Sequence, residues 1–344
     1  MILKRLVPGL VIGALVLGSS AVYAQEGGTL AEVQARGQLA CGVNGGLPGM
    51  SVLNQETGVF EGMDADYCRA IAAAVLGDAD AVQYVSITAD QRATAIQGGE
   101  VDVIFRNTTN TLSRDAAWGD FGPTIFYDGQ GMMVRADIGA TSLEDLAGAT
   151  ICVTAGTTTE LNLTDQMAFL GVEFEPVVAA EIDTVYGTYE EGRCDAVTSD
   201  KSQLVGRRSS FANPDDHVIL DVTMSKEPLA PVVATGDNQW ADIVTWVVNA
   251  TIEAEELGIT SENIGDFIGS DNPVVARLLG ETDDLGAALG LSNDFVVGVI
   301  SAVGNYGEIY DRAFGPGSGL DLSREGTLND LWTRGGLMYA PPFR

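Results

Sequence analysis

Gly99-Glu100-Val101-Asp102-Val103 closes a helix and opens a strand, and Gly192-Arg193-Cys194-Asp195-Ala196 does the same in a later part of the chain. Each copy ends a longer series of the same kind. Before the first lie an apolar strand Leu39-Ala40-Cys41-Gly42-Val43, a turn over Gly45-Gly46-Leu47-Pro48-Gly49 and a hairpin signal at Glu56-Thr57-Gly58. From Met63, apolar residues at Cys68, Ile71, Ala72 and Val75 keep helical spacing until Gly77. A strand over Val82–Ile87 and a helix over Ala89–Gln97 lead into the strand Val101–Phe105. The second series reads as a short helix Leu143–Leu146, a strand Thr150–Thr154 and a helix from Thr159. A strand Phe174–Val178, a helix Asp183–Glu191 and a strand from Asp195 complete it. Strands alternating with helices predict α/β layering around largely parallel sheets, and the repetition predicts two lobes built on one plan.

Two extended runs join the series. Gly129-Gln130-Gly131-Met132-Met133-Val134 leads out of the first, and Leu229-Ala230-Pro231-Val232-Val233-Ala234 leads back. Residues 25–131 and 230–344 are therefore expected to form one discontinuous lobe, with a mostly helical extension from Trp240, and residues 132–229 the other.

Lys4 and Arg5 precede an apolar stretch from Leu6 to Leu17, and Ser19-Ser20-Ala21-Val22-Tyr23-Ala24 offers small residues to a signal peptidase. This pattern predicts a secretory signal over residues 1–24, cut after Ala24. The stretch is shorter than the roughly 20 apolar residues that a membrane span needs. No Cys follows to carry a lipid, so the expected product is a soluble periplasmic monomer. A formal net charge of −30 repels nucleic acid and anionic membranes and excludes both as partners. The charges are dispersed and 46% of residues are hydrophobic, which indicates a folded chain rather than an acidic tail. An acidic surface of this kind suits a saline habitat.

Four cysteines, Cys41, Cys68, Cys152 and Cys194, in an exported chain read as disulfides, although four allow three pairings. Spacing favours Cys41–Cys68 and Cys152–Cys194, one bridge per series, with buried thiols as the alternative. A single histidine, His217, and no C-x-x-C pair argue against zinc or a Cys/His nucleophile, and no cofactor is expected.

Polar residues collect after the strands. Arg106-Asn107-Thr108-Thr109-Asn110-Thr111-Leu112-Ser113-Arg114 follows Phe105, at the carboxyl end of a strand, where open α/β sheets hold ligands. Arg114 brings a planar fork suited to a carboxylate. Gly156-Thr157-Thr158-Thr159-Glu160 opens a helix with hydroxyls and free N–H groups that favour an anion. Asp200 ends a strand and offers a carboxylate to an ammonium. Taken singly, these features also read as a polar loop with a surface arginine, a helix N-cap and a solvated turn. Together they complement an amino acid zwitterion.

With those residues in place, the chain resembles the polar amino-acid-binding proteins, solute-binding protein family 3. Gly62-Met63-Asp64-Ala65-Asp66, Asn107-Thr108-Thr109 with Ser113-Arg114, and Gly156-Thr157-Thr158 match the family landmarks in order. Cys41-Gly42-Val43-Asn44, Asp128-Gly129-Gln130-Gly131, the run Thr157–Leu163 and the closing Gly335–Phe343 resemble its general L-amino-acid-binding branch. The resemblance implies the type II periplasmic binding fold, with two lobes joined by a two-strand hinge, and a free L-amino acid passed to the permeases and ATPase of an ABC importer. It implies that Arg114, helped by Thr109 and Thr158, clamps the α-carboxylate. The Asn107 carbonyl and Asp200 then take the α-ammonium, and Asn44 faces the ligand side chain.

The chain departs from the family pattern in two places. Leu47-Pro48-Gly49-Met50 lacks the usual stacking aromatic, and Met is adaptable. Arg106 adds a cation where many members carry a small polar residue. Both changes point to several polar or acidic ligands, with glutamate, glutamine, aspartate and asparagine foremost. Asp64 and Asp66 read as structural residues near a helix start. The alternatives are an exported dehydratase on the same fold, which needs a general acid in the cleft, and a sensory amino-acid-binding subunit.

Overall fold

The structure is a computed structural model and describes residues 28–344; the expected signal over 1–24 lies outside the described residues. One sheet runs in the order Val82–Ser86, Leu39–Val43, Val103–Ile104, Val232–Val233, Asp120–Phe121. The other runs Glu175–Ala179, Thr150–Thr154, Ala196–Asp200, Phe126–Arg135, His217–Ile219. In each, the three strands of one series lie parallel in the order second, first, third. A crossing segment then adds an antiparallel neighbour, Val232–Val233 in the first sheet and Phe126–Arg135 in the second. Both sheets are therefore mixed, because the chain reverses where it changes lobe. The shared strand order is the three-dimensional form of the repeat seen in the sequence.

Phe126–Arg135 and Lys226–Leu229 make the connection. They pair antiparallel, with Leu229 opposite Phe126 and Glu227 opposite Asp128. Beyond this point the longer strand enters the second sheet, where side chains alternate between faces. Met132 packs with Leu163 and Met167 on one side, and Met133 with Tyr186 and Phe211 on the other.

The first lobe has the larger core. The helix Met63–Leu76 is buried on almost all sides, packed against the sheet and the helices Asn238–Glu256 and Phe295–Val303. Its entry requires glycine: Gly62 has φ 117, and a Cβ there would stand 2.4 Å from the Met50 carbonyl oxygen. Asp66 at the helix start accepts from Arg312 at 3.0 and 2.7 Å, which ties the C-terminal helices to this lobe. The final segment has a definite place. Phe343 meets Trp246 edge to face at 5.0 Å, and Asn329 hydrogen-bonds both the N–H and the C=O of Tyr127, at 2.7 and 3.0 Å. It thus braces the start of the crossing strand. Among the described residues, no helix is long and apolar enough to cross a membrane.

Disulfides join Cys41 to Cys68 and Cys152 to Cys194, with Cα–Cα distances of 6.0 and 5.8 Å. Each closes a loop inside one lobe, of 27 and 42 residues. Replacing either pair by serines is expected to lower unfolding free energy by about 2–4 kcal/mol. The larger effect should follow loss of Cys152–Cys194, since loop-closure entropy grows with length. Urea unfolding of the two double variants checks this; unchanged midpoints in both would refute it.

Candidate functional site

The first lobe's wall is the continuation of a buried strand. Val103, Ile104 and Phe105 are apolar and enclosed, so the polar run begins where the sheet's carboxyl edge ends. Thr111 starts a short helix, Leu112–Asp115, by accepting the Arg114 N–H at 3.3 Å. That turn aims Arg114 inward. It is only 7% exposed, donates from Nη1 to the Thr109 carbonyl at 3.0 Å, and lies over the Trp118 ring at 5.0 Å. It is therefore a held, buried guanidinium rather than a surface one. Arg106 is buried too, with Nε donating to the Ile87 carbonyl at 2.9 Å and Nη1 to Asn107 Oδ1 at 3.4 Å. Asn107 has φ 33, in the left-handed region, and its N–H donates to Asp64 Oδ2 at 3.0 Å. Asp64 is thus the structural anchor of the polar loop.

The second lobe's wall is built the same way. Thr157 caps the helix Thr158–Leu170 by accepting the Glu160 N–H at 3.1 Å, so the N-cap reading holds for Thr157 and leaves Thr158 turned to the cleft. The strand Ala196–Asp200 is enclosed throughout, and Asp200 begins the helix Lys201–Ser209 in a buried position rather than a solvated turn.

The walls meet. Arg106, Asn107, Thr109 and Arg114 from one side and Thr158 and Asp200 from the other line one cavity. Its volume is about 20 Å³, room for about one water, too small for an amino acid in this arrangement of the walls. Thr109 and Thr158 hydroxyl oxygens stand 3.4 Å apart, Asn107 Nδ2 donates to Gln203 Oε1 at 3.3 Å, and Arg92 Nη2 donates to the Gly156 carbonyl at 3.3 Å. Asn44 is not in this wall. Its Oδ1 accepts the Gly46 N–H at 3.3 Å, and its Nδ2 is buried with no hydrogen-bond partner among the described residues.

Burial dominates the electrostatics. It raises Asp200 well above the usual carboxylate range, reinforced by the charges of Asp128 and Glu227. It also pushes Asp64 up to about 6, despite the Asn107 N–H and Arg106. The same burial draws Arg106 down to about 10, against the pull of Asp64 and Asp200. Arg114 is lowered by burial, while Glu227 and Asp200 favour its charged form. The cavity thus sets arginines of the first lobe against a carboxylate of the second.

Sequence reasoning missed three residues here. Arg92, 2% exposed, lines the cavity and also lies over the Trp118 ring, its guanidinium 5.5 Å from the ring centroid. Its only signal was a cation inside the apolar helix pattern 89–97. Gln203 had none beyond its nearness to Asp200. Glu227 was visible only as an acidic residue at the edge of an extended apolar run. His217, by contrast, lies in the second lobe's core, its Nδ1 2.9 Å from the Tyr189 hydroxyl and its ring against Phe211.

The left-handed backbone at Asn107 yields a stability prediction. Asn107→Gly should unfold within about 1 kcal/mol of the parent, since glycine adopts this φ freely. Asn107→Val should lose about 1–3 kcal/mol, because a β-branched residue is strained there. Urea titration of both variants measures the difference, and equal losses would discount the strain.

Comparison with known proteins places this geometry. The family model described as bacterial extracellular solute-binding proteins, family 3, matches residues 39–263. The general L-amino acid-binding periplasmic protein AapJ of Rhizobium johnstonii is 48% identical over 97% of each chain. The glutamate/glutamine/aspartate/asparagine-binding protein BztA of Rhodobacter capsulatus is 46% identical, over 96% of this chain and 98% of its own. Among solved structures, an ABC transporter/periplasmic binding protein from Brucella ovis with glutathione bound superposes with a TM-score of 0.88. It is 49% identical, covering 92% of this chain and 99% of that one. With the family model over most of the chain and relatives matching almost its full length, the chain belongs to the bacterial extracellular solute-binding proteins of family 3.

Proposed function

We propose that the chain is the periplasmic substrate-binding component of an ABC importer for L-amino acids, with glutamate, glutamine, aspartate and asparagine as its ligands. The observation that carries this reading is the pairing of one buried guanidinium, Arg114, from one wall with one buried carboxylate, Asp200, from the other, on a single cavity. A zwitterion supplies the two charges that such a pair needs. Arg114 takes the α-carboxylate, and Asp200 with the Asn107 carbonyl takes the α-ammonium. Arg106 and Arg92 leave positive charge in the wall for a polar or acidic side chain. The lobes, residues 25–131 with 230–344 and residues 132–229, close about the paired strands as hinged binding proteins do.

Binding without turnover is the favoured outcome. The relatives AapJ and BztA are named as binding proteins, and His217 lies in a core away from the cavity lining. The bound glutathione of the Brucella ovis relative supports a second ligand class. A γ-glutamyl peptide presents the same free α-carboxylate and α-ammonium, so glutathione belongs in any ligand panel.

Arg114→Ala and Asp200→Ala should each weaken every L-amino acid tested, by about tenfold to a hundredfold, the value of one charge-assisted hydrogen bond. Titration calorimetry on the folded variants, with small-angle scattering of the parent, tests the reading. Parental affinity in either variant, or no ligand-induced compaction, would overturn it.

Proton linkage gives an independent check. Asp200 is raised in the free protein, and an ammonium beside it favours the ionised form. Binding should therefore release a proton, and affinity should fall as pH is lowered through the raised pKa. Calorimetry in buffers of different ionisation enthalpy should show different apparent heats for the parent. Equal heats would remove Asp200 from the ammonium subsite.

A further inference from the structure

Glu227 stands on the return strand of the hinge, opposite Asp128, and is 0% exposed. A buried carboxylate is tolerated only when donors replace the water it loses. Here those donors come from both lobes. Oε2 accepts from the Thr109 hydroxyl of the first lobe at 2.6 Å and from the Thr158 hydroxyl of the second at 2.8 Å. Oε1 accepts from Asn162 Nδ2 at 3.0 Å and from the Ser225 hydroxyl. The two threonine oxygens are themselves 3.4 Å apart, so one carboxylate oxygen closes a triangle across the cleft.

A hydroxyl has one proton to give. In this arrangement Thr109 and Thr158 both direct theirs to Glu227, so these two contacts join lobe to hinge to lobe. Parting the lobes separates the two threonines, and the carboxylate cannot keep both. We propose that Glu227 is a positioning residue that sets the balance between closed and open lobes by tying Thr109 to Thr158. This assignment rests on the reading of the cleft as an amino acid site, and it gives the two threonines a role in closure, with Arg114 left as the main carboxylate partner. Because Glu227 acts through the hydroxyls and not on the ligand, its removal weighs on all ligands alike. Affinity scales with the fraction of molecules that reach the closed form.

The test uses the full mature chain with L-glutamate, L-glutamine and L-aspartate. Glu227→Ala should lower affinity for all three by a common factor of about ten or more, mainly through faster release, and should enlarge the radius of gyration without ligand. Glu227→Gln keeps an oxygen for the two hydroxyls, and the Asn162 amide can turn its own oxygen to the new NH₂. This variant should recover much of the affinity and compaction. Thermal unfolding separates the alternatives, since a merely structural residue would shift the melting temperature and leave affinity and compaction unchanged. Parental affinity and compaction in folded Glu227→Ala would overturn the proposal, as would a loss confined to the acidic ligands. If the alanine variant does not fold, Thr158→Val severs the same tie from the other end and is read by compaction without ligand alone, since Thr158 also lines the cavity. A parent that binds none of the three ligands would refute the amino acid reading alone. The scattering comparison between the parent and Glu227→Ala would then still decide the tie, with equal radii refuting it.

Discussion

Two paired strands carry the chain from one lobe to the other, and their register determines what the joint contains. Leu229 opposite Phe126 and Glu227 opposite Asp128 place an apolar pair and an acidic pair side by side at the point of bending. The apolar pair belongs to the first lobe's core, together with Tyr310 and Phe314. Among the described residues the acidic pair forms no salt bridge, and burial is then costly unless hydrogen bonds are supplied locally. Asp128 takes its own Gly129 N–H at 2.8 Å and the Ser202 N–H at 3.3 Å, and burial still pushes it up to about 6. Glu227 takes four side-chain donors from around the cleft. The need to satisfy these carboxylates organises the walls next to them.

The same principle orders the cavity. Three arginines, Arg92, Arg106 and Arg114, would repel one another in a dry wall. Each is therefore anchored to a backbone carbonyl, at Ala89, Ile87 and Thr109 respectively. Two of them share the Trp118 ring, with Arg92 and Arg114 at 5.5 and 5.0 Å from its centroid, a cation–π arrangement that strengthens where water is excluded. Acidic residues behind or across the wall, Asp64, Asp200 and Glu227, offset the positive charge. The arginine side chains are thus held in place before any ligand contributes, a form of preorganisation that reduces what binding must spend on ordering.

Support for this joint comes from the C-terminal segment, which the family model leaves beyond residue 263. Arg324 and Arg334 both bridge to Glu255 on the long helix Asn238–Glu256, the latter at 2.6 Å. Asn329 completes the backbone hydrogen bonding of Tyr127. The crossing strand thus has a braced origin in the first lobe.

The sequence by itself determined the layering, the two repeated series, the crossing segments and the presence of polar loops after the strands. These are local matters: apolar periodicity, turn glycines and caps act over a few residues and are written contiguously. It also singled out Arg106, Asn107, Thr109, Arg114, Thr158 and Asp200, because each follows a strand or opens a helix within a recognisable motif. What only the tertiary structure decided is which of these share a wall. Asn44, which the family resemblance implied, stands outside the cavity lining, while Arg92 and Glu227 enter the cleft from a helix and a hinge strand that carry no motif. Their roles depend on contacts between residues far apart in sequence, such as Thr109 with Glu227 and Arg92 with Gly156. Such pairings exist only once the sheets have packed and the lobes have met.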